Sequence, residues 1–177
     1  MYIDAARRAG AELARRGIGV VYGGGRLGLM GAVADAALDA GGEVIGIIPQ
    51  ALVDAEVAHR GCTELRIVSG MHERKALFTD LSDGFITLPG GVGTMDELWE
   101  AVSWSQLGYH KKPVGLFNVG GFYDTLIAFN EHMKSVGFIR EQHRGILLSD
   151  DTLDGLLAQM TAYRPHETIF KMKAANL

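Results

Sequence analysis

Pro89-Gly90-Gly91-Val92-Gly93-Thr94-Met95-Asp96-Glu97 stands between an apolar run, Gly84-Phe85-Ile86-Thr87-Leu88, and the stretch Leu98-Trp99-Glu100-Ala101-Val102-Ser103-Trp104. The apolar run reads as a buried strand and the following stretch as a helix. A strand therefore runs into a glycine turn, and the turn opens a helix. Glycines let a backbone approach a ligand closely, and the free N–H groups of a helix start face an anion with the helix dipole behind them. Thr94 is placed to cap that helix or to donate its hydroxyl to a phosphate. Glu97 lies one turn further in. A phosphate cradle with a carboxylate beside it points to chemistry on a phosphorylated small molecule. A plain strand-to-helix turn with a solvated glutamate would use the same residues; a second glycine turn and a basic cluster elsewhere favour the site.

Working outward, the pattern predicts helices over residues 2–16, 29–40, 71–81, 94–107, 122–136 and 152–160. Strands are expected at 19–22, 44–48 (stopped by Pro49), 65–68, 84–88, 113–117 and 146–148, and a loop with a short helix over 50–63. The alternation predicts a doubly wound, Rossmann-like α/β fold, a mostly parallel sheet with helices on both faces. Such sheets bind ligands at the carboxyl ends of their strands. The segments 23–25, 69–75 and 89–97 fall there.

The 177 residues are 47% hydrophobic and 21% charged, with a net charge of −4. This balance, with an isoelectric point near 5.8, argues against general nucleic-acid binding. A single cysteine, Cys62, excludes an intrachain disulfide and a cysteine-rich zinc site. No apolar run is long enough to span a membrane, and charges interrupt the N-terminal segment Met1-Tyr2-Ile3-Asp4-Ala5-Ala6-Arg7-Arg8, so a cytoplasmic protein is expected.

Two further constellations carry chemistry. In Val21-Tyr22-Gly23-Gly24-Gly25-Arg26-Leu27-Gly28-Leu29-Met30-Gly31 the glycine spacing does not fit the dinucleotide fingerprint. The turn suits close approach to a mononucleotide, with Gly24 as a contact, whereas Gly28 and Gly31 serve helix packing about as well. In Met71-His72-Glu73-Arg74-Lys75 the arginine can clamp phosphate or carboxylate through paired hydrogen bonds and the lysine adds a point charge. His72 reads as a surface or capping residue. Arg74 and Glu97 together suffice for metal-free glycosidic cleavage, in which a carboxylate stabilises an oxocarbenium-like centre or activates water.

The pairing of the 89–97 turn with Met71-His72-Glu73-Arg74-Lys75 resembles the lonely guy (LOG) family of cytokinin-activating phosphoribohydrolases, long mislabelled lysine decarboxylases. The resemblance runs from about residue 2 to residue 160 and includes Trp104-Ser105-Gln106-Leu107-Gly108. It implies cleavage of the N-glycosidic bond of N6-substituted adenosine 5′-monophosphates, with no cofactor, by a homodimer. By motif, Arg74 and Glu97 are the implied catalytic pair. Lys75, Gly90, Gly91, Val92, Gly93, Thr94, Met95 and Asp96 are implied nucleotide contacts, with Glu56 and Ser103 as further substrate residues. The family begins with another strand and a Cys-Gly-Ser turn ahead of the helix placed here at 2–16. The expectation is one Rossmann-like nucleotide-binding domain over 1–177 lacking that strand, whose place the strands at 19–22 and 84–88 would flank. The alternative is a nucleotide or molybdenum-cofactor carrier without hydrolase activity. Lysine decarboxylation is rejected, because nothing marks a pyridoxal phosphate site.

Overall fold

The computed structural model describes residues 1–55 and 57–169. It divides into two compact units, Met1–Ser82 and a second from Asp83 onward. The first holds α1 (Tyr2–Arg15), β1 (Val20–Tyr22), α2 (Gly28–Asp39), β2 (Val44–Pro49), α3 (Gln50–Asp54), β3 (Glu64–Val68) and α4 (Met71–Leu81). Its strands form a parallel sheet in the order β1-β2-β3, with Val20 opposite Val44 and Ile45 opposite Glu64. α1 buries Ala5, Ala6, Ala9, Gly10 and Leu13, and leaves Arg7, Arg8 and Arg15 exposed, as its amphipathic pattern requires. Tyr22, Ala34, Ala37 and Val44 form the core beneath α2. Small residues bring α1 and α2 so close that a Cβ on Gly10 would overlap the Val33 carbonyl.

The second unit holds β4 (Phe85–Thr87), α5 (Val92–Leu107), β5 (Val114–Phe117), α6 (Asp124–Ser135), β6 (Leu147–Asp150) and α7 (Leu153–Ala162), with short 3-10 turns at Val119–Gly121 and Glu141–His143. Its sheet is parallel in the order β4-β5-β6. β5, the central strand, is buried along its whole length. Leu98, Val114, Leu116 and Tyr123 make the core. The Tyr123 hydroxyl donates to the Leu88 carbonyl at 2.6 Å, and burial pushes its pKa up to about 12. That bond ties the start of α6 to the residue before Pro89, the entrance of the glycine turn. Both units are thus the parallel α/β structure expected, and among the described residues no helix is long and apolar enough to cross a membrane.

Two local expectations need correction. β2 runs one residue further than expected, ending at Pro49 itself, opposite Val68, because a terminal ladder position needs no N–H from proline. Thr94 does not cap α5. The cap is Gly91 and the helix begins at Val92, so Thr94 is already in the first turn.

The segment after α7, weakly patterned in sequence, is held by histidines. The His166 Nε2–H donates to the Ser105 carbonyl at 3.1 Å, and its Nδ1 accepts from the Tyr163 hydroxyl at 3.1 Å. The His143 Nε2–H donates to the Glu167 carbonyl at 2.9 Å. The His110 Nε2–H donates to the Ala101 carbonyl at 2.8 Å while its Nδ1 accepts the Lys112 N–H at 3.2 Å. The His110 and His166 rings are therefore wired as neutral imidazoles. Burial first of all lowers the pKa of His110 and of His166, whose neighbouring His143 adds to the effect.

Two outcomes follow. Because folded His110 and His166 bind protons less readily than the unfolded chain, their contribution to stability is complete above about pH 6.5 and is lost below it. The melting temperature should fall between about pH 7.5 and about pH 5.5, and His110→Gln combined with His166→Gln should flatten that fall; an unchanged slope would contradict it. Gly10→Ala should destabilise by about 1–3 kcal/mol in denaturant unfolding, through overpacking against Val33, although alanine is the better helix former. A gain in stability would show that the two helices can part.

Candidate functional site

In the second unit α5 starts at a glycine turn, with Gly91 as its cap. The N–H groups of Val92, Gly93 and Thr94 precede the first intrahelical bond, Met95 N–H to the Gly91 carbonyl at 3.1 Å, so they face outward along the helix axis. No acidic residue sits in the first turn to occupy them. A Cβ on Gly91 or Gly93 would meet nothing within 4 Å. On Gly90 it would overlap the Thr94 Oγ1, so that hydroxyl lies over the turn instead of capping the helix. Val92 is 86% exposed at the tip. Glu97 is half-buried one turn further, and Asp96 is exposed.

One face of α5 forms an open groove of about 530 Å³, lined by Met95, Asp96, Trp99, Glu100, Ser103 and Trp104. Both tryptophans are half-buried, so neither is a plain core residue. Glu97 points off this face; Glu100 is on it. Ser103 is exposed here, as a lining residue would be.

In the first unit β1 ends at Tyr22 and the chain turns through Gly23, Gly24 and Gly25. Gly24 has φ +69°, and a Cβ there would sit 3.0 Å from that of Ile48. The turn needs glycine for both reasons. A returning segment clamps it: the His59 N–H donates to the Gly24 carbonyl at 2.8 Å, the Arg26 N–H donates to the Val57 carbonyl at 2.9 Å, and Gly25 bridges Ala58.

Arg74, in the second turn of α4, is 8% exposed. Its Nη2 donates to the Gly23 carbonyl at 3.3 Å and its Nη1 contacts the Met71 sulfur at 3.7 Å. Its guanidinium carbon lies 5.3 Å from the Phe78 ring centroid, within cation–π range. A Cβ on Gly23 would overlap Nη2. The fingerprint-like glycine turn and the basic cluster, read separately in sequence, are brought together here. Glu73 starts α4 by accepting from the Ser69 N–H and hydroxyl, both at 2.8 Å, which holds its carboxyl below the usual range. Lys75 is half-buried and His72 exposed. Gly31 packs on the Arg26 carbonyl, so it belongs to the turn's packing. Glu56 lies outside the described residues.

The sequence reading missed the side chains behind this turn. Tyr22 lies in β1, Asp35 in α2, and His59 and Cys62 in the loop before β3, and nothing in their spacing links the three segments.

The family model described as "Possible lysine decarboxylase" matches residues 30–160. The chain is 51% identical, over 93% of its length and 68% of the relative's, to the cytokinin riboside 5′-monophosphate phosphoribohydrolase LOG of Oryza sativa subsp. japonica. It is 46% identical, over 95% of its length and 79% of the relative's, to cytokinin riboside 5′-monophosphate phosphoribohydrolase LOG4 of Arabidopsis thaliana. In solved structures it is similar to the molybdenum cofactor carrier protein of Chlamydomonas reinhardtii, with a TM-score of 0.66 and 21% identity over 92% of this chain and 89% of that one, a likeness of fold. Because the family model covers most of the chain and curated members share about half of its residues, the chain belongs to the LOG family.

Proposed function

We propose that this protein hydrolyses the N-glycosidic bond of adenosine 5′-monophosphate or its N6-substituted forms, releasing the free base and ribose 5-phosphate. The observation that carries the reading is the N-terminus of α5, where no acidic residue sits in the first turn, a Cβ on Gly91 or Gly93 would meet nothing within 4 Å, and Glu97 follows on the same helix. The printed names of the relatives supply the substrate class.

In this reading the 5′-phosphate rests on the backbone of Gly90, Gly91, Val92, Gly93 and Thr94, with Met95 and Asp96 beside it. Glu97 stabilises the positive charge that develops on the ribosyl centre, or activates the water that attacks it. Water adds at the anomeric carbon, and the base departs with the bonding electrons and takes up a proton. Arg74 and Lys75 hold the nucleotide, with Gly24 contacting it. Ser103 and Glu56 complete the substrate contacts. Hydrolysis consumes only water, so no cofactor is called for. The protein acts as a cytoplasmic homodimer that covers the α5 groove, where Trp99 and Trp104 offer apolar area of the kind interfaces use.

Glu97→Gln should lower turnover about 10²–10⁴-fold while nucleotide still binds, the usual worth of a positioned acid–base or charge-stabilising group. Glu100→Gln should cost less. Near-parental release of ribose 5-phosphate by Glu97→Gln would refute the mechanism and favour a carrier. Arg74→Ala should lose both binding and turnover, because a charged clamp acts in the ground and transition states alike. Gly91→Val should raise the Michaelis constant without unfolding the protein, since its side chain would enter space left open for the anion. Unchanged affinity for adenosine monophosphate would remove the phosphate from this turn.

A further inference from the structure

Behind the glycine turn of the first unit, four side chains that the proposed reaction does not use form one continuous chain of polar contacts. The Tyr22 hydroxyl lies 2.8 Å from His59 Nδ1 and 3.4 Å from Cys62 Sγ. His59 Nε2 lies 3.2 Å from Asp35 Oδ1. A carboxylate can only accept, so His59 carries a proton on Nε2; with the Tyr22 O–H donated to Nδ1, the phenol oxygen is left to accept the Cys62 S–H. Burial, with the Cys62 contact adding to it, pushes the Tyr22 phenol well above its ordinary range, so it stays a donor.

This chain ends on the turn from both sides. Tyr22 is the residue before Gly23, whose carbonyl takes the Arg74 Nη2 bond. His59 donates its own N–H to Gly24, and its neighbour Ala58 bridges Gly25. Three consecutive glycines lose more freedom on ordering than any other triplet, so a turn of this composition keeps its place only if its flanks hold it.

We propose that His59 is a positioning residue: braced by Asp35 and bonded to Tyr22, it sets the place of the 23–25 turn and, through the Gly23 carbonyl, of the Arg74 guanidinium. The consequence for catalysis rests on the reading above in which Arg74 holds the nucleotide. The same contacts would also serve merely to pin the loop around residues 57–62 to α2. The two roles separate kinetically. A loop that only stabilises the fold would, when loosened, leave fewer active molecules, lowering apparent kcat at unchanged KM. A misplaced turn raises KM in molecules that remain folded.

The test uses the full chain with His59→Ala, Tyr22→Phe, Asp35→Ala and Asp35→Asn, reading amide hydrogen exchange at residues 23–26 without ligand, and KM and kcat for adenosine monophosphate. His59→Ala and Tyr22→Phe should speed exchange at 23–26 and raise KM by about tenfold each, the effect of one hydrogen bond, with kcat changed far less. Asp35→Asn, which keeps an acceptor for Nε2–H, should recover most of what Asp35→Ala loses. Exchange unchanged at 23–26, or lower kcat at unchanged KM, would overturn the proposal. If the parent itself releases no ribose 5-phosphate, the hydrolase reading falls alone; the dissociation constant of adenosine monophosphate then replaces KM, and the same two results decide.

Discussion

A guanidinium held out of water against a backbone carbonyl is the constraint around which the first unit is arranged. Removing an ion from solvent costs several kcal/mol unless its surroundings replace the lost hydration. For Arg74 those surroundings include the Gly23 carbonyl, the Met71 sulfur and the Phe78 ring. Each demands something of the chain. A side chain at residue 23 would displace Nη2, because its Cβ would occupy that position. α4 must begin where the Ser69–Glu73 bonds start it. The turn at 23–25 must be clamped by the segment at 57–59. The arginine is therefore pre-placed, and little side-chain freedom remains to it.

In the second unit the constraint is the start of α5, where a Cβ on Gly91 or Gly93 would meet nothing within 4 Å. α5 starts without an acidic residue in its first turn and with glycine on both sides of Val92. The strand feeding it is anchored by the Tyr123–Leu88 bond, itself organised by Asn118, which accepts the Tyr123 N–H at 2.7 Å and donates to Asp124 at 2.8 Å. A helix dipole and uncovered N–H groups suit a dianionic phosphate better than a neutral ligand.

Much of this was legible in the sequence where local rules dominate. The bounds of α4 at Met71 and Leu81 follow from its flanking strand and breaker, and the alternation of strands and helices identified parallel sheets. Thr94 was misplaced because glycines at 90, 91 and 93 leave the helix start ambiguous by a few residues, and backbone geometry chose Gly91. β2 ends at Pro49 and not one residue before it, because a proline is kept out of a ladder only where its missing donor is needed. The partners of Tyr22 at 35, 59 and 62, and the histidines that hold residues 163–169, were invisible for another reason. They are long-range contacts between polar residues without periodicity, so no pattern along the chain announces them.

The most direct test of the central claim is a product analysis on the purified protein incubated with adenosine 5′-monophosphate and, separately, its N6-prenyl derivative, with no cofactor added. The account predicts free base and ribose 5-phosphate in equal amounts from at least one of them. Nucleotide recovered intact from a protein that binds it would contradict the account, as would release of base together with unphosphorylated ribose.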